Sequence, residues 1–475
     1  MRRDLGDFQT PPGLVAAVLD RLDALDIPRS RVLEPTCGRG HFVSGLLARA
    51  DPPAEIRGFE IQPGHLDDAR AIDAGPTLIS LEQADLFSVD LAAHLRWSSD
   101  GPLFVVGNPP WVTTAALGRL GSTNGPARAR VEGLTGLDSR TGRSNFDLAE
   151  AVWVKLLTEL AGPDVTIALL CKVATARNVL RRASRAGWPI VSASIHRIDA
   201  RRWFAATVDA CLFVVRLGRG AGCYRAEVYP DLGSEVPETT IGVVDDLLVS
   251  DLNAFEHHRC LFGRSPRVWR QGIKHDAAAV MELTHVDGGW RNGLGEAVDV
   301  EPDRLYPLLK GADLARSTRP ARSVIVTQRR LGEDTNDLAA SAPRLWSYLQ
   351  GHSAALGARR SKVYESRPPF AMFGVGDYAF AAHKVAVAGL HKAPRFSAIG
   401  PVDGRPVLLD DTCYILPCEN AGEARRIARG LNGPAAQSLL KSLCFADAKR
   451  PVTKAILARI DLDRLPARSR VETEA

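Results

Sequence analysis

None of the eight cysteines in this 475-residue chain forms a CxxC pair. That absence removes the ligand spacing of a zinc finger or ribbon and the framework of a disulfide-stapled domain. It leaves the thiols as those of a reduced, cytoplasmic protein, with no metal site expected. No apolar run reaches the roughly 18–20 residues of a membrane span, so no membrane partner is expected. The opening MRRDLGDFQT lacks the apolar stretch of a signal peptide. There is no G-x-x-x-x-G-K-[ST] phosphate loop, no HExxH, no nuclease signature, no internal repeat and no low-complexity tract. P-loop NTPases, zincins, repeat proteins and disordered chains are thereby set aside.

What is present is ordinary for a globular chain: 45% hydrophobic and 24% charged residues. At roughly 100–200 residues per domain, the length accommodates two to four domains. The net charge is +5, from 60 Lys and Arg against 55 Asp and Glu. It is unevenly spread. Residues 1–250 carry 27 basic and 30 acidic side chains, and residues 251–475 carry 33 and 25. An Arg-rich surface alone would give such an excess, but an asymmetry between halves also suggests two jobs, with the second half facing a polyanion.

The first half alternates. The helical pattern LVAAVLDRLDAL precedes the strand SRVLEP, the helix FVSGLLARA, the strand EIRGFEI and the amphipathic GHLDDARAI. LISLEQADL and the very apolar LFVVGNPPW read as further strands, FDLAEAVWVKLLTEL as a helix, and VTIALLC and DACLFVVRL as buried strands. Alternation of this kind predicts a parallel sheet covered on both faces, with ligands at the carboxyl ends of its strands. Residues 113–144 form a long stretch rich in Gly, Ser, Thr and Arg, of the sort that is functional or mobile when it interrupts a domain. Residues 218–240 are rich in Gly, Pro and Glu and read as a linker. Beyond them the pattern is irregular, with the short strands SVIVTQRR, KVAVAGL and DDTCYILP and a helical NAGEARRIARGLNGPAAQSLLKSL.

Four constellations carry chemistry. Glu34-Pro35-Thr36-Cys37-Gly38-Arg39-Gly40 follows a strand, and its Gly-x-Gly turn lets a ligand approach the backbone closely. It is too short for a full dinucleotide fingerprint, and by itself is also what a tight strand-to-helix turn looks like. Glu60 ends the next strand, 20 residues past Gly40, where an acid can accept from two ribose hydroxyls. Asp85, in QADLF, could accept from an adenine amine while Leu86 packs on the ring. Asn108-Pro109-Pro110-Trp111 follows the strand LFVVG and is the strongest motif. Pro-Pro cannot continue a central strand, because neither residue donates a backbone hydrogen bond. The resulting extended turn offers carbonyl acceptors beside an amide oxygen and a large ring. That set suits a planar amine with two N–H donors and an aromatic face.

In this order and spacing, EPTCGRGHF, GFEIQP, QADLF and VVGNPPW resemble the cofactor and catalytic motifs of gamma-class adenine-specific DNA methyltransferases. Asp7-Phe8-Gln9-Thr10-Pro11-Pro12 resembles that class's N-terminal cofactor motif, and SNFDLAEAVWVKLL the helix after the catalytic loop. RRWFAATVDACLFVV resembles the later motif whose aromatic residue faces the target base, with Phe204 in that position and Trp203 the alternative. The likeness covers residues 7–217. LYPLLKGADLAR and LNGPAAQSLLKSL more loosely resemble pieces of the recognition domain of Taq-type enzymes.

The resemblance implies an α/β fold. A Rossmann-like S-adenosylmethionine-dependent methyltransferase domain would occupy residues 1–220. A linker would follow at 221–240, then a mixed α+β DNA target-recognition domain at 241–475. Thr10 and the loop Glu34, Pro35, Cys37, Gly38 and Gly40 would hold the methionine part of S-adenosylmethionine. Glu60 would take its ribose hydroxyls and Ile61 one face of its adenine, while Asp85 would accept from that adenine's amine with Leu86 packed on the ring. Asn108 and Pro109 would accept the two protons of the target amine, with Pro110 shaping the turn, and Trp111 and Phe204 would stack on the extruded base. Trp111 departs from the commoner Tyr or Phe, and Gln62 from a frequent Asp; neither removes a chemical role. Double-stranded DNA is the implied partner, with room for a separate restriction endonuclease or defence-system subunit.

The basic excess supplies contacts for such a partner: Arg316, Arg319, Arg322, Arg329 and Arg330, then Arg359, Arg360 and Lys362, then Lys384 and Lys392. Most would meet phosphates rather than read bases. RNA adenine and protein glutamine methyltransferases share the need for acceptors around a planar nitrogen, but usually need less chain than the 364 residues that follow Trp111 here. A non-catalytic DNA-binding subunit is the remaining rival, and the intact Glu60, Asp85 and Asn108 argue against it.

Overall fold

The computed structural model describes residues 9–112 and 147–466, except 161, 163, 287, 317, 366, 446 and 449. Asp7, Phe8 and the stretch 113–144 therefore lie outside the described residues. The chain divides into two compact units, Met1–Leu252 and Asn253–Ala475.

The first unit is built on a ten-stranded sheet: β1 (Arg31–Glu34), β2 (Glu55–Glu60), β3 (Leu78–Gln83), β4 (Leu103–Gly107), β5 (Val165–Lys172), β6 (Ile190–Ile198), β7 (Ala210–Leu217), β8 (Arg225–Tyr229), β9 (Thr239–Val244) and β10 (Leu247–Val249). Its spatial order is 3-2-1-4-5-7-6-8-9-10. Strands β1 to β5 run parallel, as the alternation predicts. All five residues of β4 are buried, as a central strand covered on both faces requires.

Strand β7 departs from the expectation of an all-parallel sheet and pairs antiparallel with both β5 and β6. The cause is the short connection. Residues 199–209 hold only α6 (Ala200–Phe204), and a parallel crossover needs about a dozen residues or more.

Five longer helices precede α6: α1 (Pro12–Ala24), α2 (His41–Leu47), α3 (Pro63–Arg70), α4 (Leu148–Glu159) and α5 (Val173–Ala186). Local chemistry sets their ends. Pro12 opens α1 where a missing N–H costs nothing, the Asp147 carboxylate caps α4 by accepting from the Ala149 amide, and Gly187 closes α5 in the left-handed conformation. Leu14, Val18, Phe42, Val43, Ile56 and Phe104 belong to one core beneath this half of the sheet.

The expected linker at 221–240 is corrected. Strand β8 pairs parallel with β6 and antiparallel with β9, and the division between units falls after Leu252. Ala226, Val228 and Tyr229 are buried there. The Gly- and Pro-rich composition marks the turns between added strands rather than a free connection.

The second unit is mixed α+β. A six-stranded sheet has the order β14 (Ala297–Val298), β13 (Gly289–Asn292), β12 (Glu282–Val286), β16 (Arg322–Ile325), β15 (Leu305–Leu309), β19 (Leu408–Leu409). A four-stranded sheet has the order β11 (Arg270–Gln271), β20 (Cys413–Cys418), β17 (His383–Ala388), β18 (Ser397–Ile399). The helical stretch near the end is two helices, α7 (Ala421–Asn432) and α8 (Pro434–Leu443). Pro434 forces the break, since the residue before a proline is driven out of helical backbone, and Gly433 has φ −66° and ψ 154°. Among the described residues, no helix is long and apolar enough to cross a membrane.

The unit corrects one of the expected DNA contacts, Lys384, and ties two others, Arg359 and Arg322, into its own fold. Lys384 is fully buried on β17, its ammonium donating to the carbonyls of Ala379 and Val407. Arg359 is half-buried and donates to the carbonyls of Leu356 and Ala371. Arg322 is half-buried and faces Glu282 and Asp313. Lys384 therefore has no ammonium to offer DNA, while Arg359 and Arg322 are engaged within the unit and keep part of their surface. Arg316, Arg319, Arg329, Arg330, Arg360 and Lys392 are exposed, and the Lys362 side chain lies outside what the structure describes.

Candidate active site

Strand order reverses between β1 and β4, and a cavity of about 300 Å³ opens at the carboxyl ends of the strands around that point. A doubly wound sheet places its ligand there. The cavity is lined by Thr10, Glu34, Pro35, Cys37, Gly38, Glu60, Ile61, Asp85, Leu86, Asn108 and Pro110 among the residues singled out above. Gly40, Pro109, Trp111 and Phe204 do not line it. Gln9 and Thr36, which belong to the motifs quoted above, also line it, as do His41, Phe59, His65 and Leu148, to which the sequence assigned no individual role.

The loop after β1 is held by its own backbone. Gly38 and Gly40 take φ of +53° and +77°, a conformation that side chains disfavour. A Cβ on Gly40 would also lie 2.6 Å from the Ile72 Cδ1, so this glycine serves the packing of α2 on α3 rather than the cavity wall. The Cys37 amide donates to the Phe59 carbonyl, tying the loop to β2.

Both Glu60 oxygens accept backbone amides, Oε2 from Gly38 at 2.9 Å and Oε1 from Gln62 at 2.7 Å. A carboxylate has about four lone-pair directions, so each oxygen keeps one for a ligand hydroxyl. Glu34 is 3% exposed. Burial, and then the neighbouring Glu60 charge, push its carboxyl well above the usual range. Its Oε2 and the Thr36 hydroxyl are buried without a hydrogen-bond partner among the described residues. Burial and the same two acids also raise the Cys37 thiol, so this cysteine is an inert wall and not a nucleophile. Ile61 stands 38% exposed, an apolar side chain beside the cavity with nothing covering it. Asp85 caps the turn after β3 by accepting from the Phe87 amide, and Leu86 is buried behind it.

On the other side stands the turn after β4. The Asn108 Nδ2 donates to the Thr10 hydroxyl at 3.1 Å, and the Thr10 carbonyl lies 2.7 Å from His41 Nδ1. Trp111 Nε1 donates to the Leu170 carbonyl at 3.2 Å. Its ring meets Phe204 edge-on, with centroids 5.1 Å apart at 71°. The two rings therefore do not form parallel jaws around an empty slot. Trp203 instead lies over Gly13 of α1, with the Arg202 guanidinium 4.6 Å from its ring centre. Lys172, the last residue of β5, donates to the Trp111 carbonyl at 2.8 Å and to Asp147 Oδ2 at 2.9 Å. A lysine closing a fully buried strand was the one signal for it in the sequence.

A seven-strand run ordered 3-2-1-4-5-7-6 with a single reversed strand, and a carboxylate-lined cavity at its switch point, define the fold as that of a class I S-adenosylmethionine-dependent methyltransferase. No protein-family profile matches the chain. The Type II methyltransferase M.NspV of Nostoc sp. is 34% identical over 472 residues, covering 97% of both chains. The chain belongs to the Type II methyltransferases. A solved structure of the Type IIL restriction-modification enzyme MmeI in complex with DNA shares the fold at a TM-score of 0.50 and 11% identity; it covers 92% of this chain, which spans 64% of that one.

Proposed function

We propose that the protein transfers a methyl group from S-adenosylmethionine to the exocyclic amine of adenine in duplex DNA, as the modification enzyme of a restriction-modification system. The carrying observation is that Glu34, Glu60 and Asp85 share one cavity with Asn108 and Pro110. The kinship with a Type II methyltransferase adds to it.

The residues present fit the cofactor. Glu34 Oε2, buried and unpartnered among the described residues, suits the α-ammonium of a methionine moiety. The free lone pairs of Glu60 suit ribose hydroxyls, Ile61 and Leu86 an adenine ring, and Asp85 its amine. When bound, S-adenosylmethionine supplies an electrophilic methyl on a sulfonium.

The chain's own contribution is the acceptor turn. The lone pair of an adenine amine is delocalised into the ring, so the nitrogen is a poor nucleophile. The Asn108 side-chain oxygen and the Pro109 carbonyl accept its two protons and favour a pyramidal nitrogen whose lone pair points at the methyl. Once methylated, the nitrogen carries one proton too many, and that proton passes to solvent water, because neither an amide oxygen nor a peptide carbonyl is basic enough to keep it. Fixed acceptors cost no reorganisation at the moment of reaction. The amine is out of reach inside a duplex, so the base is flipped, at a few kcal/mol. Stacking on Trp111, at about 1–3 kcal/mol per base on an aromatic platform, offsets much of that. Phe204 buttresses the edge of the Trp111 ring, in place of the second stacking face expected above. The exposed Arg316, Arg319, Arg329, Arg330, Arg360 and Lys392 serve as phosphate contacts, and the counterpart is a separate restriction endonuclease.

The test is direct. The wild type and N108A are expressed in a host lacking DNA methylation, and the DNA is sequenced with detection of modified bases. N6-methyladenine at one defined sequence is expected with the wild type and none with N108A, while N108A still binds S-adenosylmethionine by calorimetry. Modified cytosine, or label delivered to RNA or protein instead of DNA, overturns the reading.

A further inference from the structure

We infer that Lys172 is a positioning residue for methyl transfer, holding the Asn108–Trp111 turn in its acceptor geometry through the Trp111 carbonyl. This rests on the reading of that turn as the methyl-acceptor site.

Two consecutive carbonyls of the turn are tied to the same structural corner. Lys172 Nζ donates to the Trp111 oxygen at 2.8 Å, and the Leu148 amide, the first of α4, donates to the Val112 oxygen at 2.9 Å. The corner is itself locked. Asp147 Oδ1 accepts from the Ala149 amide at 3.0 Å, and Oδ2 accepts from Lys172 at 2.9 Å and from the Thr175 hydroxyl at 3.4 Å. Trp111, Lys172, Asp147, Leu148 and Val112 thus close a ring of bonds linking the turn, the end of β5 and the start of α4.

A lysine at a strand end would ordinarily send its ammonium to water. Here the side chains of Lys172 and Asp147 are only 25% and 14% exposed, so their charges are partly desolvated and depend on each other. The indole of Trp111 rests on Leu170 and Phe204, contacts whose alignment depends on where the backbone carries the ring. Lys172 adds the constraint those contacts lack, on the backbone plane that follows the ring. With Thr10 holding the Asn108 amide from the opposite side, both ends of the acceptor turn are fixed before any ligand arrives. An ammonium is compact enough to serve a carbonyl and a carboxylate at once.

Removing the lysine alone would leave Asp147 as an unpaired, largely buried charge and lower stability for that reason. The informative variant is therefore K172M/D147N, since Asn caps a helix as well as Asp does. Each variant is examined for melting temperature, S-adenosylmethionine binding, and kcat and KM on DNA from an unmethylated host. K172M/D147N is expected to fold and to bind the cofactor as the wild type does, with kcat lowered roughly ten- to a hundredfold by the misplaced turn. K172R should recover most of that rate, and D147N alone should lose less than the double variant.

A second readout is independent of the acceptor. With 5-fluorotryptophan incorporated, the Trp111 resonance, assigned by its loss in W111F, should be a single sharp line in the wild type and broadened or split in K172M/D147N. A wild-type kcat in the folded double variant, or an unchanged Trp111 line, overturns the inference. Should the wild type methylate RNA or protein and not DNA, the substrate reading falls, and the kcat comparison on that acceptor decides the role of Lys172.

Discussion

The Asn108 amide nitrogen donates to the Thr10 hydroxyl across 3.1 Å, joining two residues 98 positions apart in the chain. That bond fixes which end of the Asn108 side chain is its acceptor. It gives Thr10 a second task beside the one its motif implies. Thr10→Val keeps the shape and removes the hydroxyl. One hydrogen bond is worth about 0.5–1.5 kcal/mol, so kcat should fall about two- to tenfold. S-adenosylmethionine binding should change less, and N108A should lose nearly all turnover. Steady-state kinetics beside calorimetry checks the split.

Cofactor affinity should depend on pH through Glu34. In the free protein, burial and the Glu60 charge hold this carboxyl well above its ordinary value. The folded state then binds a proton that the unfolded chain releases above about pH 4.5, so Glu34 makes the free protein less stable as pH rises toward its raised value. A cationic ammonium favours the carboxylate, so binding should expel the proton and strengthen with pH over the same window. Calorimetry in buffers of different ionisation enthalpy should register proton release by the wild type and none by E34Q.

Lys384 gives a pH effect of opposite sign in the second unit. Burial pushes its ammonium down to about 7 from an ordinary 10.5. Between those values the unfolded chain holds a proton that the folded one lacks, so stability rises with pH, by up to about 1.4 kcal/mol per unit. Denaturant unfolding of the wild type and K384M should show the wild type gaining on the variant between pH 7 and 9. Parallel stabilities across that range would mean that Lys384 is charged in the fold.

DNA affinity should fall steeply with salt through counterion release, and S-adenosylmethionine affinity should not. R329A/R330A should weaken binding to all sequences alike and lower the salt slope by about one for each phosphate no longer neutralised. K384M should leave the slope unchanged, because its ammonium is already committed to two carbonyls. Fluorescence anisotropy over a salt series distinguishes the two variants.

Much of the first unit was legible because its signals are local. A buried strand followed by Gly-x-Gly, or by Pro-Pro, fixes both an element and where its chain must turn, and the residues of these two turns line one cavity. The reversal of β7 was not legible, because it depends on how far residues 199–209 can reach rather than on what they are. The burial of Lys384 was hidden for a related reason. A basic residue beside an apolar run reads as surface, and only the carbonyls of Ala379 and Val407, brought from elsewhere in the chain, make its burial tolerable. The edge-on contact of Trp111 with Phe204 depends on rotamers, which motifs do not encode.

The placement of β8 bears on where this protein can be cut. A fragment ending at residue 220 would leave β6 as a sheet edge, with unpaired backbone groups open to other chains. It would also strip Tyr229 from the fully buried His196, whose imidazole stacks on it with ring centres 4.5 Å apart. Burial and then the Arg21 charge hold that histidine down to about 3, neutral throughout the physiological range. Once wetted it would titrate like any surface histidine, charging the newly opened edge as pH falls. A catalytic fragment carried to Leu252 keeps the seal, and should stay soluble and monomeric where the shorter one aggregates.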